Sequence, residues 1–392
     1  MVNTGLEDRL QREIDGAVRH NRDVYSAVLG VASADGDFCW AGAAGTAYAD
    51  RTEPMQAGTP IYIASITKMY VAAVTMLLEE RGLLSLDDPL SRFLPAAWLT
   101  GLHRYKGRDY SDQLRVYHLI SQTSGLPDYF MGKPRRGQSV FERIVSGGDM
   151  EWGVEEVVEI AQTSLSAKFP PEPEGQKASG KKAYYSDTNY QLLGAIIEAA
   201  AQQALHQILT ELIIEPLGMS STYMHGRGGV TETGAEPPAH IYHNTQPLYL
   251  DKAMTSFGPD GGMVSTVEEC LRFLEQFMGG KLFASPATLD HMQRWKGIFF
   301  PFQYGLGLMR FKLPRILSPF SATPELIGHS GSTSAFLFYS HTDRLYIGGT
   351  LNQLENQGRP FRLMMRVIQI LGEKVPGRAG QTQRGVSNDG TT

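Results

Sequence analysis

The stretch "IYIASITKMYVAAVTMLLEERG", residues 61–82, poses the question on which the fold turns. A short β-like run, Ile61-Tyr62-Ile63, leads to Ser65, and Lys68 follows three residues later at the mouth of an otherwise oily segment. From Ile66 to Arg81 the chain is apolar on nearly every side, which predicts a helix surrounded by protein, capped at its end by Gly82. Ser65 then stands at a strand-to-helix junction. Its N–H is one of the free donors of a helix N-terminus, where the dipole favours negative charge. Lys68 falls one turn later on the same face, within reach of the Ser65 hydroxyl. These residues alone leave two readings open. Either Ser65 caps the helix and Lys68 snorkels to the surface, or Lys68 activates a hydroxyl that is a poor nucleophile without a base.

The Ser-x-x-Lys spacing is weak by itself, since a chain of this length holds on the order of one match by chance. Ser179 and Lys182 in "SGKK" also fit it, but they lie in "KFPPEPEGQKASGKK" (168–182), a Pro-, Gly- and Lys-rich stretch that reads as an exposed loop. A second cluster is "YYSDTNY" (184–190), just ahead of a helical pattern. There Tyr185 is a candidate base if a neighbouring ammonium lowers its pKa from about 10, and otherwise a packing residue with Asp187 as an N-cap. A third is "GHSGSTSAF" (328–336), whose glycines would allow close approach to a strand edge. Gly328 to Ser332 nearly matches the G-x-S-x-G elbow, but Ser332 replaces the last glycine and a strand follows where a helix is required.

Around these clusters the chain reads as a mixed fold. Leu6, Leu10, Ile14, Ala17 and Val18 have helical spacing, and two strands then meet at an Asp35-Gly36 turn. Helical patterns fill 154–162, 188–201 and 204–214. "STVEECLRFLEQFM" (265–278) opens with a Thr266–Glu269 capping box. Strands are expected at 304–311, 333–341 and 344–352, the last two as a hairpin, before an amphipathic helix over 359–373. The expectation is an α/β (α+β) fold in which an antiparallel sheet is assembled from both chain ends and flanked by terminal helices. Residues 1–84 plus 255–376 would form that domain, 85–254 an inserted helix-rich domain, and 377–392 a disordered tail.

Composition excludes several classes. Of 392 residues, 42% are hydrophobic and 20% charged, and the net charge of −5 gives no basic face for nucleic acid. Cys39 and Cys270 are too few for a disulfide framework, have no zinc spacing, and read as buried small hydrophobes. No run reaches the roughly 18 apolar residues of a membrane span. The N-terminus lacks a secretion signal, so a cytoplasmic enzyme without metal or cofactor is the default, although a chain trimmed of its signal would read the same. The basic run Lys133-Pro134-Arg135-Arg136 reads as a solvated loop, with an anionic substrate as the alternative.

Ser65-Ile-Thr-Lys68, Tyr185-Ser-Asp187 and His329-Ser-Gly331, in that order, resemble the three active-site motifs of the serine β-lactamase and penicillin-binding protein superfamily. The likeness is to its class C-like branch, with D-Ala-D-Ala carboxypeptidases, D-aminopeptidases, family VIII esterases and related acyltransferases. Satellite stretches agree, among them "HLISQTSGLPDY" (118–129), "DGGMVSTVEE" (260–269) and "YGLGL" (304–308), and the likeness runs from about residue 10 to 372. It implies a β-lactamase/DD-peptidase-like fold with Ser65 as the acylated nucleophile. Lys68 would help remove the serine proton, and Tyr185 would shuttle protons to and from the leaving group. The N–H groups of Ser65 and Ser332 would form the oxyanion hole, with Asp187, His329, Ser330 and Gly331 facing substrate.

Three departures bear on substrate. His329 stands where class C β-lactamases carry lysine, and Asp187 where many members have asparagine, which should disfavour an anionic acyl side chain. Gln122 stands where related hydrolases often have histidine. The expected function is hydrolysis of carboxylic esters or small amides through a Ser65 acyl-enzyme. D-amino-acid peptide cleavage, β-lactam turnover and acyl transfer are the alternatives, and a non-catalytic binding protein is the rival class. Loops at 100–113 and 128–150 are candidate lids that would favour transfer by excluding water. The sequence leaves oligomeric state open.

Overall fold

The computed structural model describes residues 4–50, 52–171, 183–227, 236–312 and 324–372. The expected disordered tail and the Ser179–Lys182 match lie outside these residues. Helix α1 (Thr4–Arg19) leads into the hairpin β1 (Ser26–Ser33) and β2 (Cys39–Gly45), which turns at Asp35-Gly36 as expected. A two-residue strand, β3 (Ile61–Tyr62), ends in a tight turn over Ala64–Ile66 before α2 (Thr67–Glu80). The helix-rich middle contains α3 (Asp187–Ala201) and returns through β4 (Tyr223–Met224). Next come β5 (Met263–Ser265) and α4 (Val267–Met278). Strands β6 (Lys296–Phe299), β7 (Phe302–Tyr304), β8 (Met309–Phe311), β9 (Leu326–Ser330), β10 (Phe336–Ser340) and β11 (Leu345–Thr350) precede the closing helix α5 (Gly358–Gly372).

The main sheet is antiparallel with order β6-β7-β8-β9-β10-β11-β1-β2. Its two faces are buried in different cores, which the period-2 alternation of each strand dictates. Leu29 and Val31 of β1, with Phe336 and Phe338 of β10, point toward α1 and α5, where Leu10, Ile14, Met364 and Val367 wait. Val28 and Leu337 point the other way, toward Leu271, Phe273 and Leu274 of α4. A second, three-stranded sheet, β3-β5-β4, holds the turn that carries Ser65 against the helical middle.

Every residue of α2 from Thr67 to Leu78 is buried, including Lys68. Tyr70 stacks on Phe273 of α4 with ring centroids 3.7 Å apart, and α3 packs alongside. No helix among the described residues is long and apolar enough to cross a membrane.

Four expectations need correction. "YGLGLMRF" is not one strand: β7 stops at Tyr304 and β8 starts at Met309, with a bend between them. Gly307 takes φ +73° there, and a Cβ on it would lie 2.1 Å from the Cβ of Ala72, so α2 shapes the bend. Cys39 is exposed on the edge strand β2, while Cys270 is buried as expected. The Thr266 cap is half a box. Its hydroxyl accepts the Glu269 N–H at 3.3 Å, but the Glu269 carboxylate turns away to Ser221 N–H and the Thr222 hydroxyl. Of the two candidate lids, 128–150 lines the main cavity and 100–113 does not.

The bend makes a stability prediction. Gly307→Ala adds both a steric clash and a left-handed non-glycine residue, and should cost about 2–4 kcal/mol. Urea unfolding reads this as a lower midpoint at unchanged slope; a wild-type midpoint would show that the bend can move off α2.

Candidate active site

The turn before α2 is strained. Ala64, which is not glycine, takes φ +47°, at a cost of about 1–2 kcal/mol. The first hydrogen bond of the turn runs from Ile66 N–H to Ile63 C=O at 3.1 Å, so Ser65 N–H precedes it and has no partner within the turn. Against this turn lies the loop after β9. Gly331 packs so closely there that a Cβ would sit 2.9 Å from both Ala64 Cβ and Ile63 O, which explains the glycine. The loop is pinned by Gly331 N–H to Ala335 C=O at 2.7 Å and by the Thr333 hydroxyl to Tyr62 C=O at 3.3 Å. Ser65 and Ser332 thereby face the same cavity.

Lys68 has no exposed surface. Its three ammonium protons have three acceptors: Ser65 Oγ at 3.1 Å, Asp260 C=O at 2.5 Å and Asp187 Oδ1 at 2.7 Å. The snorkelling reading is therefore wrong. Burial alone would lower the pKa of Lys68, but the Asp187 and Asp260 carboxyl groups together outweigh it and hold the pKa above the usual lysine value. The ammonium also lies over the rings of Tyr185 and Tyr190, 5.1 and 5.5 Å from their centroids.

Tyr185 departs from expectation. Its hydroxyl is buried without a hydrogen-bond partner. Burial, and then the Asp187 charge, push its pKa well above the tyrosine norm, while the adjacent Ser65 hydroxyl acts the other way. The lysine does not make Tyr185 acidic, because burial, reinforced by the Asp187 charge, holds its proton. Asp187 is the first residue of α3 rather than its cap. It serves as the counter-ion of Lys68 as well as lining the cavity.

His329 is fully buried and does not reach the cavity. Nδ1–H donates to Ser330 C=O at 2.7 Å, which leaves Nε2 to accept the Tyr304 hydroxyl at 3.2 Å. Burial and Lys68 lower its pKa to about 3, so the third motif carries no positive charge. Ser330, Gly331 and Ser332 line the cavity as expected, and His329 supports them from behind.

Two carboxyl groups at the site had no role assigned from sequence, although both lie in satellite stretches. Asp128 accepts N–H bonds from Asp187, Phe130 and Met131 at 3.1–3.3 Å, and burial beside Asp187 pushes its pKa up to about 7. Asp260 accepts from the Tyr129 hydroxyl at 2.9 Å and Gln191 Nε2 at 3.0 Å, and burial raises its pKa well above the carboxylate range. Gln122 also gains an account. Buried at φ +60°, it accepts Ser186 N–H at 2.9 Å and Asn189 Nδ2 at 2.5 Å through Oε1, while its C=O takes Tyr184 N–H at 2.9 Å. It clamps the second motif on both sides of Tyr185.

The cavity above these groups measures about 630 Å³. One wall carries Phe130, Phe141 and Phe257, and the other Phe299, Phe302 and Phe361. Its charged lining is acidic, from Asp128, Asp187 and Asp260, with no lysine, arginine or histidine among the described residues. Such an arrangement can take an uncharged, apolar carbonyl compound against the Ser65 hydroxyl. No cluster of His, Cys, Asp or Glu among the described residues has the makings of a metal site.

Residues 14–368 match the family model described as Beta-lactamase. Esterase EstB of Burkholderia gladioli is 28% identical over 249 residues, 62% of this chain and 56% of that protein. Penicillin-binding protein 4* of Bacillus subtilis is 31% identical over 186 residues, 46% of this chain and 34% of its own. The chain thus spans about half or less of the length of these curated relatives. Among solved structures, D-amino acid amidase from Ochrobactrum anthropi superposes with a TM-score of 0.72 at 21% identity, covering 94% of this chain and 99% of its own, a likeness of fold.

Asp128 predicts a pH effect. A carboxyl with its folded pKa raised contributes stability that is full below its unfolded value near 3.8 and is lost as pH rises through about 7. Asp128→Asn cannot titrate, so it should gain stability relative to wild type between pH 4 and pH 8, read by chemical denaturation at each. A difference that stays constant over that range would contradict the assignment.

Proposed function

The chain belongs to the Beta-lactamase family, and from that premise we propose that it is a serine hydrolase of uncharged carboxylic esters or small amides with a bulky apolar acyl group. The observation that carries this reading is the placement of Ser65 Oγ, 3.1 Å from the fully buried Lys68 ammonium, in a cavity with apolar walls and no cation among the described residues that line it. A substrate carboxylate, as on a β-lactam or a peptide C-terminus, would meet three carboxyl groups and a neutral His329 there, an unfavourable desolvation. In this reading the inserted segment 85–254, joined by Phe257, supplies one wall of the cavity, and Phe299, Phe302 and Phe361 of the terminal domain the other.

The chemistry follows from the contacts. Ser65 Oγ attacks the carbonyl carbon, its proton passes to Lys68, and the displaced lysine proton moves to Asp187, 2.7 Å away. The tetrahedral oxyanion is held by the N–H groups of Ser65 and Ser332, worth roughly 3 kcal/mol each where such donors have been removed. Tyr185, neutral and with an unoccupied hydroxyl, protonates the departing alkoxide or amine and recovers its proton through Lys68. Water then enters, gives its proton back along the same path and releases the acid. EstCE1, described as a hydrolase with promiscuous acyltransferase activity, shares the fold, with a TM-score of 0.73 at 20% identity over 94% of this chain and 98% of its own. An alcohol in place of water would need no change of residues.

A fluorophosphonate should label one serine, and Ser65→Ala should abolish the adduct. Ser65→Ala and Lys68→Ala should each lower p-nitrophenyl butyrate turnover by about 10³-fold or more, and Ser65→Ala should do so while melting near wild type. Equal labelling of wild type and Ser65→Ala would end the assignment, and turnover of a chromogenic cephalosporin alone would overturn the substrate class. Asp187→Asn removes the charge that holds the Lys68 proton. With no carboxylate to take the displaced proton, only deprotonated Lys68 can then act as base, so the acid limb of the acylation rate should move to higher pH, and an unmoved limb would show that Asp187 does not set it.

A further inference from the structure

Among the described residues, five large apolar side chains stand well out into solvent: Leu83, Met131, Tyr249, Phe299 and Phe300. Isolated cases of this kind are ordinary, whereas a group around a pocket marks a contact surface. Three of the five, Met131, Phe299 and Phe300, also line the cavity, so they ring its mouth. Phe299 and Phe300 form the tip between β6 and β7, and Phe300 is 70% exposed. The tip has a firm base, since Phe299 packs on Phe302 at 5.2 Å and Phe302 on Phe361 of α5 at 5.0 Å.

Met131 belongs to the facing rim. It lies in a loop that leaves at Phe130 and returns at Phe141, where Phe141 N–H donates to Phe130 C=O at 3.1 Å. Residues 131–141 carry Lys133, Arg135 and Arg136 and no carboxylate, in a chain of net charge −5. All three cations are exposed, and Lys133 has a loose 3.5 Å contact with Glu142 while its side chain stays 82% exposed. The β6–β7 tip, 296–303, likewise holds no carboxylate. Positive charge is thus concentrated beside apolar tips, at the entrance of an apolar cavity whose interior is acidic. A small substrate inside the cavity leaves the cations without a role. A surface with anionic headgroups above acyl chains uses both, since Lys and Arg meet the headgroups while Phe and Met enter the apolar layer.

We propose that the cavity mouth docks on an anionic lipid surface through Phe299, Phe300 and Met131, with Lys133, Arg135 and Arg136 at the headgroups, so that apolar esters pass into the cavity without crossing water. The test is co-sedimentation of the full chain with vesicles of phosphatidylglycerol and phosphatidylcholine in equal parts, against phosphatidylcholine alone. Binding should be about tenfold or more stronger on the anionic vesicles and should weaken with salt. The triple variant K133Q/R135Q/R136Q should lose that preference while keeping wild-type turnover of soluble p-nitrophenyl acetate. F299S/F300S should lose binding by about tenfold or more with an unchanged melting temperature. Absence of binding to either vesicle, equal binding to both, or binding that survives F299S/F300S would overturn the proposal. Ser65→Ala should bind as wild type does, so the docking surface and the acyl-enzyme chemistry stand or fall separately.

Discussion

An ammonium group with no access to water must find its solvation inside the protein. Lys68 meets that demand with acceptors from three places in the chain, two of them distant: the turn beside it, the start of α3, and the carbonyl of Asp260. Much of the rest can be seen as the means of bringing those three together. The small β3-β5-β4 sheet sets the Ser65 turn and places Asp260 just before β5. Asp128 and Gln122, from one short segment, fasten the start of α3 so that Asp187 arrives at 2.7 Å. Removing one partner from such a group would leave a buried charge uncompensated, the costly case for an internal ion pair.

The same group sets the electrostatics of the cavity. Three carboxyls and one ammonium cannot all ionise so close together without penalty, and Asp128 and Asp260 answer by holding their protons more tightly. His329 stays neutral, Tyr185 stays protonated, and the charge that remains is the Lys68–Asp187 pair. The site therefore holds two protonated groups, Lys68 and Tyr185, beside one carboxylate able to accept, under an apolar roof. Asparagine in place of Asp187 would leave the lysine to act alone.

Legibility in the sequence followed the range of the deciding interaction. Helix 67–80, the Asp35-Gly36 hairpin and the pairing of β10 with β11 depend on periodicity and turn residues, and the sequence shows both. Ser65, Lys68, Tyr185 and Ser330–Ser332 were found by their motifs, and they do converge on one cavity or its floor. What stayed hidden depends on neighbours far along the chain. The bend at Gly307 is imposed by Ala72, and Cys39 is exposed because β2 ends a sheet whose order only topology reveals. The direction of the Tyr185 shift required knowing how completely its hydroxyl is buried, with the Asp187 charge beside it. Asp128 and Asp260 look like any surface acid until burial is known.

The place of β1 in the main sheet also governs the order in which the molecule can be completed. β1 leaves the ribosome early, yet one of its two neighbours, β11, begins about 310 residues after β1 ends. At ~5–20 residues per second, synthesis separates the two by roughly a quarter of a minute to a minute. Throughout that interval the first hairpin keeps an open, strongly apolar edge, with Val28, Leu29 and Val31 still awaiting both cores. The two ends of the chain meet last, and the wall behind Phe361 is finished only when they do.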